Sequence, residues 1–592
     1  MIQSTRLLTP PPIRTRPRRP RSVVSLSAVL VLLVACGGTR RSLVPEPVLF
    51  HASEPRELAM DQQVTQALDR LTFGGRPADI SAVLHEGLDR WLLRQLTPEN
   101  WPDRGGDSVA ARFAVDTMPI AQLVDESPQL DVFLRRRRRE LGLPDTARYL
   151  LSRDDSAHYK QMSELGTRRV NQYLAAKLAH DVGSDQQLAA LMTDFWENHF
   201  SVFRGKMPTQ FTLLAYDRDV IRPHALGRFR ELLGAVAHSP AMLYYLDNYQ
   251  SSADSGHYTL AAWRSLARAR TAADSARIRT AAMRRRGGLN ENYGRELLEL
   301  HTLGVDGGYT QHDVIDAARA LTGWSIRAPR EGGEFQFNAG AHDASTKVVL
   351  GHMLPAGRGE EDGEALLDLL ARDPHTARFI ATKLVRHFVA DTADPGLVAR
   401  AAATFQSTDG DIRQVMAVIV SGPELYRRAT VRAKVKTPYE LVASTYRVLG
   451  ALPDTAGRAV QLAAQLGQPL FGHLTPEGWP DVADAWMNTG AVLARINFGS
   501  AVAAGRIPAL PAASWPFPSA LRSAPLADQI GAIASILLLG EMSPDTRAVL
   551  LSGVNPLARP DGMAGTAAGP RGQPSFADLV GLALGSPEFQ RH

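Results

Sequence analysis

Asp373-Pro374-His375-Thr376-Ala377-Arg378-Phe379-Ile380-Ala381-Thr382-Lys383-Leu384-Val385-Arg386-His387-Phe388 is the stretch whose reading decides the fold. Aspartate before proline is a good N-cap followed by a proline at the first helical position, where its missing N–H costs nothing. Phe379, Ile380, Leu384, Val385 and Phe388 then fall on one stripe at about 100° per residue, the mark of an amphipathic helix. The same punctuation recurs at Ser239-Pro240, Ser543-Pro544 and Ser586-Pro587, and Thr310 with Asp313 forms a capping box. Strand signals are few. Glu334–Asn338 (EFQFN) and Lys347–Leu350 (KVVL) flank His342-Asp343 in what reads as a small hairpin or loop. The expectation is a mainly α protein, one large multi-helix globular body with a few short strands or hairpins.

The N-terminal 35 residues follow a different logic. Six arginines and no acid precede an uncharged stretch, Ser22–Val34, which leads to Ala35 and Cys36, the only cysteine. A basic region, a short apolar region and a small residue make a secretory signal, since a spanning helix needs about 20 apolar residues. Cysteine after the cut resembles a bacterial lipobox, in which Cys36 is lipidated. Gly37 after it resembles outer-membrane sorting, with the protein facing the periplasm or cell surface. The chain has 66 Lys+Arg against 61 Asp+Glu; without the six signal arginines 60 basic residues face 61 acidic ones, a net of about −1. The basic excess therefore belongs to targeting and argues against nucleic-acid binding. The organisation expected is 1–35 signal peptide, 36–57 lipid-anchored tether, 58–507 main helical domain with an insertion at about 250–288, and 508–592 a C-terminal helical extension packed on it. Pro508–Pro525 reads as a linker and Asn555–Pro574 as a loose loop.

Polar chemistry is densest between Asp194 and Lys347. On a straight helix from Asn290 to His301, Glu291, Arg295 and Glu299 share one face, either as a charge ladder or as part of a site. His199, His224, His301, His342 and Asp343 are candidate ligands for a divalent metal, although no H-E-x-x-H or EF-hand pattern occurs. There is no G-x-S-x-G elbow, no P-loop and no thiol free to pair with histidine. Arg135–Arg139 reads as a solvated helix face, with anionic headgroup contact as the alternative.

F-W-E-N-H-F at 195–200, R-P-H-A-L-G-R-F at 222–229, S-P-A-M-L-Y-Y-L-D-N at 239–248, the run from Asn290 to Val314 and A-R-A-L-T-G-W at 318–324 resemble the bacterial family called domain of unknown function 1800. The likeness begins near Leu71-Thr72-Phe73-Gly74 and continues through Lys434, Pro438, Glu440 and Gly478-Trp479-Pro480 to Ser586-Pro587-Glu588-Phe589. The resemblance brings no established reaction. It implies exported bacterial proteins and a partner from another exported family, domain of unknown function 1501. The Gln250–Gly288 insertion departs from the usual pattern and would cover a site only if the motifs on either side line one.

Two functions follow. One is a non-catalytic envelope lipoprotein, a helical scaffold binding a partner protein or surface polymer. The other is an envelope hydrolase, with Glu291 or Glu296 as general base, Arg222 or Arg295 stabilising negative charge, and the histidines with Asp343 as metal ligands or proton carriers. The hydrolase requires these residues to converge on one cleft.

Overall fold

Helix caps and apolar stripes set the architecture of the computed structural model, which describes residues 47–49, 55–144, 146–284, 288–552 and 574–592. The signal peptide, Cys36 and most of the 36–57 tether lie outside the described residues, as does nearly all of the 555–574 loop. The described residues form 27 α-helices and two two-stranded antiparallel sheets. The protein is mainly α. No described helix is long and apolar enough to cross a membrane.

The Pro374–Phe388 helix forms as its sequence implies, with Asp373 accepting from the backbone N–H of His375 at 2.7 Å. Ile380, Leu384, Val385 and Phe388 are buried on one side, packed against the Pro395–Ser407 helix. Behind that, all ten residues of the Ile412–Ser421 helix are buried, so this apolar segment is core on every side. Ser239, Ser543 and Ser586 all cap, and Thr310 and Asp313 close their box at 3.3 and 2.7 Å.

Two features differ from the sequence reading, and two add to it. Phe335–Phe337 (β2) pairs with Trp324–Ile326 (β1), and Lys347–Val349 (β3) pairs with His352–Leu354 (β4). Two hairpins therefore exist, and His342-Asp343 is buried between them rather than at a turn tip. The insertion is two helices, Leu260–Arg268 and Ala272–Arg284, tied down by the Leu260 N–H on the His342 carbonyl (2.8 Å) and the Ala253 N–H on that of Ala341 (2.7 Å). The expected linker at 508–525 is packed: Leu510, Trp515 and Phe517 are buried. Finally, the arginine run is paired with local acids, Arg136 to Asp125 at 2.7 Å and Arg135 to Asp131 at 3.5 Å.

The C-terminal residues complete an edge of the body. Lys434 and His592 exchange both backbone hydrogen bonds (3.1 and 3.0 Å), and the Lys436 N–H donates to the Gln590 carbonyl. This ladder leads directly into the Pro438–Val448 helix.

Candidate active site

Lys177, in the Arg153–Gly183 helix, is 2% exposed. A buried ammonium must be paired, and it lies 3.1 Å from Asp181 one turn on, 2.9 Å from Glu197 and 3.8 Å from Asp194. Tyr439 donates to Asp181 at 2.6 Å. Burial opposes the charge on Lys177, but Asp181 and Glu197 more than offset this and its pKa lies well above the usual lysine value. With one cation among three acids, the carboxyls separate. Burial pushes Asp181 up, yet Lys177 and His180 hold it below the usual range. Burial raises Glu197 well above its usual value despite Lys177, and raises Asp194 to about 6.

Lys177, Asp194, Glu197 and Tyr439 open onto a cavity of about 440 Å³. The Gln187–His199 helix gives it Asp194, Glu197, Asn198 and His199; the polar back of the Pro374–Phe388 helix gives Lys383, Arg386 and His387. The Pro438–Val448 helix supplies Tyr439 and Glu440, and a loop supplies Phe471, His473, Glu477, Trp479 and Asp481. Asn198 fixes that loop: its amide donates to the Trp479 carbonyl at 2.9 Å and accepts from the Trp479 N–H at 2.7 Å. Gly478 must be glycine here. Its φ is +75°, and a Cβ would collide with the Asn198 carbonyl oxygen.

His199 shows how a neutral imidazole is held. Its Nε2 is 3.2 Å from the His301 carbonyl, which can only accept, so Nε2 carries the hydrogen and Nδ1 presents a lone pair. Lys383 Nζ donates to that Nδ1 at 2.8 Å. Burial, then the Lys383 charge, push His199 well below its usual value, and burial brings Lys383 down to about 8. His387 pairs with Asp481 at 3.0 Å; burial raises Asp481, but His387 and Lys434 outweigh it and hold the carboxyl far below its usual range.

Motifs from three distant parts of the sequence, 195–200, 438–440 and 478–480, thus line one cavity. The family model described as Protein of unknown function (DUF1800) matches residues 66–591. The chain belongs to the DUF1800 family. Neither curated proteins nor solved structures give a match.

The residues expected to form one cleft in this DUF1800 chain occupy several places. His199 and His301 do meet, their rings 6.4 Å apart, with His301 buried and brought down to about 3 by burial and Lys383. The straight helix from Asn290 to His301 does not exist. Only Asn292–Glu296 is α-helical; Leu297–Thr302 is a π-helical turn, with the Leu303 N–H reaching back five residues to the Leu298 carbonyl. The extra residue in that turn carries His301 inward, away from the Glu291 and Arg295 face. Glu291 is instead at a half-exposed surface, 3.4 Å from Arg295 and bonded by Gln311 at 2.8 Å. Glu296 is raised to about 7 by burial, with Glu299 and the cavity-lining Glu477 adding to it.

Arg222 is committed to buried Asp217 at 2.7 Å, and His224 to the Val220 carbonyl. His342 and Asp343 belong to a separate network. His342 Nδ1 donates to the Thr322 carbonyl (2.8 Å), Asp343 takes Arg319 and His257 (both 2.8 Å), and Lys347 reaches Asp362 (2.8 Å). That network joins the insertion to the hairpins, and no described residue of the insertion lines the cavity. Among the described residues no three His, Cys, Asp or Glu side chains are grouped so as to hold a metal ion. Of the five candidate ligands, His199 and His301 meet, whereas His224, His342 and Asp343 are bonded elsewhere.

Asp194 and Glu197 stood at the head of the polar region without a role, and sequence reasoning passed over Lys177, Lys383, Arg386, His387 and Asp481. One signal was present: Lys383 and His387 sit one turn apart on the polar side of a strongly amphipathic helix.

A pH-dependent stability follows from Lys383. Its folded pKa of about 8 lies below the ordinary 10.5, so the folded state releases its proton first and wild-type stability rises with pH between these values. Lys383→Met is therefore expected to be more stable than wild type below pH 8, with the advantage shrinking toward pH 10.5. Urea midpoints measured across this range check it; a variant less stable than wild type at pH 7 contradicts it.

Proposed function

We propose that this protein is an exported, lipid-anchored envelope hydrolase whose cavity runs acid–base chemistry with Asp194 as base and Lys383 as acid. The observation that carries the reading is that two groups tuned to about 6 and about 8 face one cavity. Groups poised on either side of neutrality are what proton transfer at both ends of a bond needs. Asp194, ionised above pH 6, takes a proton from water as its oxygen attacks. Lys383, still an ammonium below pH 8, gives a proton to the leaving atom. His199 holds Lys383 in position through the Nδ1 lone pair, and Lys177 limits how far Asp194 rises. A metal is not needed for these steps.

The test is turnover of ester, glycoside and amide substrates representing envelope material. The pH profile of kcat/KM, which reports the free enzyme, is expected to be bell-shaped with limbs near 6 and 8. Asp194→Asn should lower turnover by about 10²–10⁴-fold. An unaltered rate in Asp194→Asn, or no turnover of any substrate, would remove the hydrolase reading.

The second reading is the scaffold, a lipoprotein that binds surface polymer or a partner of the domain of unknown function 1501 family. One observation favours it: Glu291, Arg295 and Gln311 join as a half-exposed surface brace rather than facing the cavity.

A further inference from the structure

The cations around the cavity are not matched alike. Lys177 has Asp181 and Glu197 against it, Lys434 has Asp391 and Asp481, and His387 has Asp481. Lys383 meets the His199 lone pair and, 5.5 Å away, the face of Phe379. Arg386 gives one Nε–H to the Asp391 carbonyl at 3.3 Å. Among the described residues neither Lys383 nor Arg386 forms an ion pair with a carboxylate.

The two lie three residues apart on the Pro374–Phe388 helix, hence on adjacent positions of one face, and both line the cavity. Half-buried positive charges without a counter-charge are costly unless something completes them. Asp481, the carboxylate whose charge acts on Lys383, is committed to His387 and Lys434.

We propose that the cavity recognises an anionic ligand, with a carboxylate or phosphate group seated between Lys383 and Arg386. This rests on the hydrolase reading above and adds the charge of the substrate to it: of the three Lys383 N–H groups one meets His199, one meets the anion and one remains for the leaving atom. The guanidinium supplies a planar fork of donors and the ammonium a point charge, a combination suited to two or more oxygens of one anion. The rest of the ligand meets an aromatic wall: Trp479 stands edge-on to His473 with ring centroids 4.7 Å apart, and Phe195, Tyr439 and Phe471 line the remainder. Such a wall receives the face of a ring, so a uronate-like or phosphorylated sugar, free or at the end of an acidic polymer, matches both halves.

The experiment is competitive acetylation of the purified protein with acetic anhydride, read residue by residue by peptide mass spectrometry. The pH dependence without added anion gives the Lys383 titration itself. The same series is run with inorganic phosphate and with glucuronate, at ionic strength matched by chloride, using exposed Lys160 as internal control. Seating an anion is expected to raise the Lys383 pKa by about one unit, which lowers its reactivity about tenfold at fixed pH and leaves Lys160 unchanged. Arg386→Gln should abolish this protection and Arg386→Lys should restore part of it, with melting curves showing that both variants fold. Phosphate and glucuronate arms separate the two oxyanion sources. Protection by neither anion, or equal protection in Arg386→Gln, overturns the proposal. A Lys383 that titrates near 10.5 without anion would instead sink the acid–base reading, so the two failures are distinguishable.

Discussion

Lys177→Met is expected to destabilise the protein by about 3–5 kcal/mol, because it removes one partner of a buried ionic cluster and leaves the others uncompensated. Asp181 bears most of that loss. In the wild type it is ionised through Lys177 and His180 and accepts the Tyr439 hydroxyl. Without the ammonium its pKa moves up, and a raised carboxyl pKa is a penalty that is full above the new value and vanishes below the unfolded one. The deficit of Lys177→Met should therefore shrink as pH falls, and Lys177→Met combined with Asp181→Asn should recover part of it. Equilibrium urea unfolding of the four species at pH 7 and pH 5 measures both. A loss under about 1 kcal/mol, the size expected of an exposed pair, would mean that the cluster is solvated rather than buried.

The second large effect is expected from Gly478→Ala. The left-handed φ costs an alanine about 1–2 kcal/mol, and overpacking against the Asn198 carbonyl adds about 1–3 kcal/mol. The strain has an easy outlet: the 478–481 loop moves off Asn198. Such a shift would break the paired hydrogen bonds to Trp479 and carry Trp479 and Asp481 away from the cavity. The expected result is a modest loss of melting temperature with complete loss of anion protection at Lys383. Retained protection would show that the loop holds its place without the Asn198 contact.

Those two residues also show why the site was harder to read than the fold. Caps and stripes are local, so Asp373, Ser239, Thr310 and the apolar face of 379–388 could be placed by sequence distance alone, and the mainly α body followed. The cavity is not local. Lys177, Asp194, Lys383 and Asp481 come from four segments, and nothing within any one of them announces the other three. The polar motif at 290–301 misled for a physical reason: Glu291 and Arg295 precede the π turn at 297–302 and face the surface, and a wheel at about 100° per residue cannot carry their alignment through that turn to His301. His342 and Asp343 drew notice as candidate ligands, whereas burial between two hairpins gives each a partner in Thr322, Arg319 or His257. Gly478-Trp479-Pro480 was visible as a motif, but only its geometry explains the glycine.

The backbone exchange between Lys434–Lys436 and Gln590–His592 has a temporal meaning. Thr437, Tyr439 and Glu440 follow directly on a segment whose hydrogen-bonding mate lies far along the chain. Long-range pairing of this kind forms late. The wall that Tyr439 and Glu440 give the cavity is therefore expected to be fixed only late in folding.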